Sequence, residues 1–194
     1  MISCILLSAG HSSRFGSPKA LAKLHEKTVI TRLQEDLVAS FVDEVIVVLG
    51  ACAENIQPFL LKHKKVKAVY NKDYNFGQTS SVQAGIRFIS QQTEGIMVLP
   101  VDLPLLRKET IDELIDYFYK NKPLILIPSY QKRKGHPPVF HASLKEEILG
   151  LSWEEGLNRV AQRHPQKTHF LPVEDKGTCL TFNTPEEFED LLKI

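Results

Sequence analysis

The stretch from Ile5 to Lys19, ILLSAGHSSRFGSPK, constrains this chain more than any other. Ile2 and Cys4 to Leu7 form an apolar run that breaks directly into a loop of Ser, Gly and His. Such a run predicts a buried strand, and the small residues after it leave backbone N–H groups free beside a ligand. Arg14 and Lys19 add two cations to the same loop, so the ligand it suits is polyanionic, with a triphosphate the natural choice. The same residues also fit an ordinary strand-to-helix turn with solvated cations.

The loop matches neither common phosphate-binding fingerprint. A P-loop places four residues between its glycines and a Lys directly after the second; here Gly10 and Gly16 are separated by five residues and Lys19 comes three later. The dinucleotide fingerprint needs three glycines at set spacing, and only Gly10 and Gly16 are present.

Downstream, strand and helix patterns alternate. Thr28 to Phe41 carries a helical stripe of Val29, Ile30, Leu33, Leu37, Val38 and Phe41, with Thr28 as cap. Glu44 to Leu49 is an apolar, β-branched run ending at Gly50, as expected of a strand covered on both faces. A helix is expected over Ala53 to His63, with Ile56, Phe59 and Leu60 inward and the Lys62 to Lys67 cluster solvated at its end. Lys67 to Tyr70 reads as a strand, Thr79 or Ser80 to Gln91 as a helix, and Ile96 to Leu99 as a strand. Glu109 to Tyr119 follows as an amphipathic helix and Leu124 to Ile127 as another strand.

This alternation predicts an α/β fold, a Rossmann-like three-layer sandwich on a mainly parallel sheet. Ligands of such sheets bind outside the carboxyl ends of the strands, where the Gly10 loop and Asp102 both fall. The last third is less regular. Pro137 to Phe140 reads as an edge strand because of its prolines. Leu144 to Leu149 and Trp153 to Arg163 read as helices, and His169 to Pro172 and Thr178 to Phe182 as strands, an antiparallel addition near the C-terminus. Pro185 to Leu192 closes the chain as a helix capped by Thr184.

With 194 residues, 43% of them hydrophobic, the chain is expected to form a single domain over residues 1–194. Lys plus Arg (24) nearly balances Asp plus Glu (23), which argues against a nucleic-acid or membrane-surface partner. Cys4, Cys52 and Cys179 lack the spacing of a disulfide framework or zinc site. The apolar start is too short for a membrane span. A cytoplasmic enzyme is the expectation.

Asp102, held between Pro100 and Pro104 after a buried strand, suits one-point binding of magnesium; the competing role is a helix cap. The loop GHSSRFGSPK, read as GxSSRxGxxK, resembles the signature of molybdenum cofactor nucleotidylyltransferases, above all the cytidylyltransferase branch. The resemblance implies transfer of CMP from CTP to the phosphate of molybdopterin, with release of pyrophosphate and use of Mg2+. It implies that Arg14, Lys19 and Asp102 are catalytic. It assigns the nucleotide to Leu7, Ser8, Ala9, Gly10, Arg14, Lys19, Asn71, Gly77, Gln78 and Ser80.

Gly135-His136-Pro137 matches the family's Gly-His-Pro, which makes His136 an acceptor contact or a merely structural histidine. Near the C-terminus the family reads Asp, an apolar residue, Asp-Thr-Pro-Glu, whereas this chain reads Thr181, Phe182, Asn183, Thr184, Pro185, Glu186. Asn183 then either offers metal an amide oxygen, as in related sugar nucleotidylyltransferases, or shares a capping role with Thr184. Leu7-Ser8-Ala9-Gly10 follows the cytidylyl branch, the guanylyl branch reading Leu-Ala-Gly-Gly. The rival functions are guanylyl or sugar-phosphate transfer, and a non-catalytic carrier of molybdenum cofactor. A molybdoenzyme or its maturation chaperone is the expected downstream partner.

Overall fold

A computed structural model describes residues 1–194. In chain order it runs β1 (Ile2–Ser8), β2 (Lys23–Leu24), β3 (Lys27–Thr28), α1 (Val29–Ala39), β4 (Glu44–Leu49), α2 (Ala53–Ile56), β5 (Val66–Tyr70), α3 (Gln78–Ile86) and β6 (Gly95–Pro100). There follow α4 (Lys108–Asn121), β7 (Ile125–Tyr130), β8 (Arg133–Lys134), β9 (Val139–His141), α5 (Lys145–Leu149), α6 (Asn158–Arg163), β10 (Thr168–Pro172) and α7 (Pro185–Leu192).

The main sheet has the order β10-β7-β9-β6-β1-β4-β5, with β8 joined to β7. β1 lies parallel between β4 and β6, registering Leu7 against Val48 and Pro100. Side chains alternate across this central strand. Ile2, Cys4 and Leu6 enter the core shared with α1, α4 and α7. Ile5 and Leu7 enter the core beneath α3, α5 and α6. The result is the three-layer, mainly parallel sandwich that the alternation predicts. The chain order reverses about β1, which makes the carboxyl ends of β1 and β6 the switch point of the sheet.

Several elements differ from expectation, each for a local reason. The helix after β4 is only one turn, passing at Gln57–Phe59 into a 3-10 turn around Pro58; Pro cannot continue the backbone ladder. Phe59 and Phe41, expected inward, are 42% and 60% exposed. In the Lys62 to Lys67 cluster, Lys62 and Lys64 are exposed as expected, whereas Lys65 and Lys67 serve other elements. Lys65 Nζ donates to the carbonyls of Val38 and Ser40 at the end of α1, and Lys67 pairs with Glu44.

The strand around Pro137 to Phe140 is interior, not an edge. β9 pairs antiparallel with both β6 and β7, and Pro138 just before it needs no N–H there, offering only its carbonyl to Val98 N. β10 is the edge strand instead and lies parallel to β7. Lys176–Cys179 is a 3-10 turn rather than a strand, stabilised by Asp175, whose carboxylate accepts from Gly177 N. Helix begins in the 153–163 stretch only at Asn158. No helix is long and apolar enough to cross a membrane.

Candidate active site at the β1–β6 switch point

The strand ends are brought close by a glycine. A Cβ on Gly50, just after β4, would lie 2.4 Å from Ala9 O and 2.7 Å from Tyr74 Cβ. Only hydrogen at this position lets the loop after β1 pass, and Ala51 N then donates to Ala9 O. The loop itself is organised by Ser12, which adopts φ 54°. Its carbonyl accepts from Phe15 N and Gly16 N, and its hydroxyl accepts from Lys19 N. Phe15 anchors the loop by packing edge-on against Phe182 and Phe188 of the C-terminal segment. The motif thus builds a rigid turn whose cations are held in place.

Arg14, Lys19, Asp102 and Asn183 converge across this turn. Lys19 Nζ donates to Asp102 Oδ2 at 3.3 Å and to Asn183 Oδ1 at 3.0 Å. Arg14 donates to the same Asn183 oxygen at 2.9 Å. Neither Asp102 nor the Asn183 side chain caps a helix. The first turn of α4 is served by Asp175, whose Oδ2 accepts from Arg107 N and Thr110 Oγ1. Thr184 Oγ1 accepts from Glu187 N and caps α7 by itself. The competing capping roles are therefore filled by other residues.

These four side chains border a cavity of about 460 Å³, within the range of sites for small ligands. Leu7 and Ser8 line it from the end of β1, Ala9 and Gly10 from the loop that follows, and Gly77 and Gln78 from the cap and first residue of α3. Gly77 adopts φ 94°, and open space surrounds its Cα. The Ser8 hydroxyl is the one buried side-chain oxygen or nitrogen in the chain without a hydrogen-bond partner. An orphaned buried hydroxyl is costly, and Ser8 belongs to the cavity wall.

Two of the expected nucleotide contacts sit elsewhere. Asn71 and Ser80 are 4% and 3% exposed and border a neighbouring recess with Trp153 and Arg87. Asn71 Nδ2 donates to Ser80 Oγ and Ser81 Oγ, while its Oδ1 accepts from Asp73 N. They brace the turn that carries Gly77 and Gln78. His136 does not line the cavity and presents an exposed face. Desolvation holds the imidazole below its ordinary pKa, and the nearby Asp102 carboxylate opposes that shift.

The sequence reading missed His11 and Tyr74, both on the cavity wall, where Ser81 of the serine-rich stretch also lies. His11 Nε2 lies 2.7 Å from Asn75 Oδ1, and its ring meets Tyr74 edge-on, bridging the two loops that frame the cavity. Its position between Gly10 and Arg14 was the available signal.

The donor set suits a hard divalent cation. The Lys19 ammonium already sits between a carboxylate oxygen and an amide oxygen. No group of three or more His, Cys, Asp or Glu side chains gathers elsewhere to rival this place. One carboxylate and one amide oxygen would leave most coordination positions to water and phosphate, as magnesium and manganese complexes with nucleotides require.

Residues 4–168 match the model of the MobA-like NTP transferase domain. The chain is 27% identical over 207 residues to nicotine blue oxidoreductase of Paenarthrobacter nicotinovorans, covering 97% of this chain and 95% of the relative. It is 27% identical to a probable molybdenum cofactor guanylyltransferase of Geobacillus sp. (strain WCH70), over 97% of this chain and 96% of that one. To the molybdenum cofactor cytidylyltransferase of Escherichia coli (strain K12) it is 24% identical, with 96% and 93% covered. The manganese complex of Rv0371c from Mycobacterium tuberculosis H37Rv superposes with a TM-score of 0.82 at 22% identity, covering 99% of this chain and 98% of that one. The family match spans most of the chain, including the loop after β1 and the segment after β6, and the chain belongs to the MobA-like NTP transferase family.

Proposed function

We propose that the chain is a cytidylyltransferase that joins CMP from CTP to the phosphate of molybdopterin. The observation that carries this reading is the convergence of Arg14, Lys19, Asp102 and Asn183 on one cavity at the switch point. In the reaction an oxygen of the acceptor phosphate attacks the α-phosphorus of CTP. The bond from that phosphorus to the oxygen bridging to the β-phosphate breaks, and pyrophosphate leaves with the electron pair. A phosphate monoester is already an anion, so no protein base is needed. Arg14 and Lys19 neutralise the triphosphate and hold it in line, and such positioning and charge stabilisation supply most of the catalysis.

Asp102 and Asn183 would hold Mg2+, or Mn2+ in its place, and a bound cation supplies charge neutralisation at the reacting phosphates. The manganese in the mycobacterial relative supports a divalent metal. Gly77, Gln78 and the Leu7 to Gly10 wall would hold the base and ribose, with Asn71 and Ser80 bracing that wall. His136, close enough to Asp102 to feel its charge, would meet the acceptor.

The preference for cytosine is read from Ala9, which stands where the guanylyl branch has its second glycine. A site that pairs the cytosine edge leaves polar groups unmatched against guanine, which costs factors on the order of 10⁴. The test is pyrophosphate release with CTP, GTP and UTP, each offered molybdopterin or a sugar 1-phosphate. Rapid release with CTP and molybdopterin alone supports the assignment. Equal turnover with GTP overturns the base assignment, and turnover with a sugar phosphate overturns the acceptor.

A further inference from the structure

Lys19 holds the place that a metal would need. Its ammonium nitrogen lies within 3.3 Å of both Asp102 Oδ2 and Asn183 Oδ1, the two oxygens offered to a cation. The pair is partly shielded, with the Lys19 and Asp102 side chains 13% and 25% exposed. Arg14 adds a second cation on the Asn183 oxygen without touching Asp102. An ammonium and a divalent ion cannot share these oxygens, because like charges a few ångströms apart in a partly desolvated site repel strongly.

We propose that Lys19 is a latch on the metal site: the empty protein resists divalent metal, and a triphosphate opens the site by drawing Lys19 away from Asp102 and Asn183. This inference rests on the metal assignment to Asp102 above. The phosphate oxygens offer Lys19 a denser negative charge than one carboxylate, and its stem is long enough to swing between the two. Once Lys19 has moved, Asp102 Oδ2 is a free oxygen donor and the Asn183 oxygen keeps only its bond from Arg14. Metal and nucleotide then bind cooperatively through a side chain that can serve only one partner at a time. Coupling of this kind is reciprocal and typically spans about 5- to 150-fold in affinity. The latch also keeps Asp102 neutralised while the cavity holds no ligand, which limits the cost of a half-buried carboxylate.

The decisive measurement omits nucleotide. Mn2+ binding is followed by the electron paramagnetic resonance signal of the free ion, in the unmodified protein and in Lys19→Met, Arg14→Met and Lys19→Met/Asp102→Asn. The latch predicts that Lys19→Met tightens Mn2+ binding about tenfold, within the range just given. Arg14→Met, which removes the same charge from Asn183 alone, tightens it less than about threefold, below the usual span of site-to-site coupling. The double variant loses the gain. Equal effects of Lys19→Met and Arg14→Met would reduce the latch to general electrostatics and overturn it. Unchanged or weaker binding in Lys19→Met overturns it while leaving Asp102 as a ligand, provided Asp102→Asn alone abolishes Mn2+ binding. Full Mn2+ binding in the double variant removes Asp102 from the metal site and overturns the metal assignment with it. If Lys19→Met fails to fold, Lys19→Gln carries the same comparison.

Discussion

Lys19 and Asp102 stand 83 residues apart in the chain, yet their charged atoms meet at 3.3 Å where β1 and β6 end side by side. Neither residue has this partner by virtue of its own loop. The parallel pairing of the two strands puts both loops on one edge of the sheet, and Phe15, packed on Phe182 and Phe188, fixes the loop that carries Lys19.

Lys19→Ala should cut kcat/KM on the order of 10²- to 10³-fold, the usual loss when one preorganised donor to a developing charge is removed. The melting temperature should move by no more than a few degrees, because the Asp102 carboxylate that Lys19 leaves borders the cavity and is within reach of water. Steady-state kinetics and a thermal melt check both halves. Normal turnover in this variant would remove Lys19 from the reaction.

The Ser8 hydroxyl gives a prediction with opposite signs in two states. Ser8→Ala should stabilise the ligand-free protein by about 1 kcal/mol, since an unpaired buried hydroxyl is removed. The same variant should weaken CTP binding several-fold if the ligand supplies the missing partner. Urea unfolding and calorimetric titration test the two statements separately. A variant that binds CTP at full strength shows that the hydroxyl has no ligand partner.

Gly50→Ala should lower stability by a few kcal/mol and damage nucleotide binding together, because the new methyl would overlap Ala9 O and Tyr74 Cβ. Two loops of the site, and not one, would have to move. Retention of wild-type CTP affinity in a destabilised variant would show that the two loops do not depend on each other.

His136 should report on Asp102 through its titration. Burial lowers the imidazole pKa and Asp102 raises it, so Asp102→Asn should move the His136 titration further down. Its ring proton signals in NMR spectra give this directly, and an unmoved midpoint would show that the two groups do not interact. The sign for stability follows from a folded-state pKa below the unfolded value of about 6.5. The contribution is fully present above that unfolded value and is lost as pH falls through the folded pKa, where the unfolded chain binds more protons. His136→Gln should therefore lose less stability than the unmodified protein between pH 7 and pH 5.

The sequence by itself determined the layers and the edge of the sheet that carries the site. Apolar runs such as Ile2 to Leu7 and Glu44 to Leu49 are local signals, because a strand buried on both faces needs no distant residue to declare itself. Thr28 and Thr184 were legible as caps for the same reason, each serving a backbone N–H three residues on. The glycines and cations of the first loop marked the wall of the cavity that follows β1.

Only the tertiary structure decided who meets whom. β9 enters the sheet between β6 and β7 against the reading of its prolines, because strand position depends on partners far away in the chain. Asn71 and Ser80 prove to brace a wall, whereas His11 and Tyr74 reach the cavity. Asp102 and Asn183 could each have capped a helix, and no local pattern distinguished that role from a place in the site. Asp175 and Thr184 occupy the capping positions, which leaves the oxygens of Asp102 and Asn183 to Lys19. Hydrogen-bond partners are assigned by competition among all groups within reach, and that competition exists only once the chain has folded.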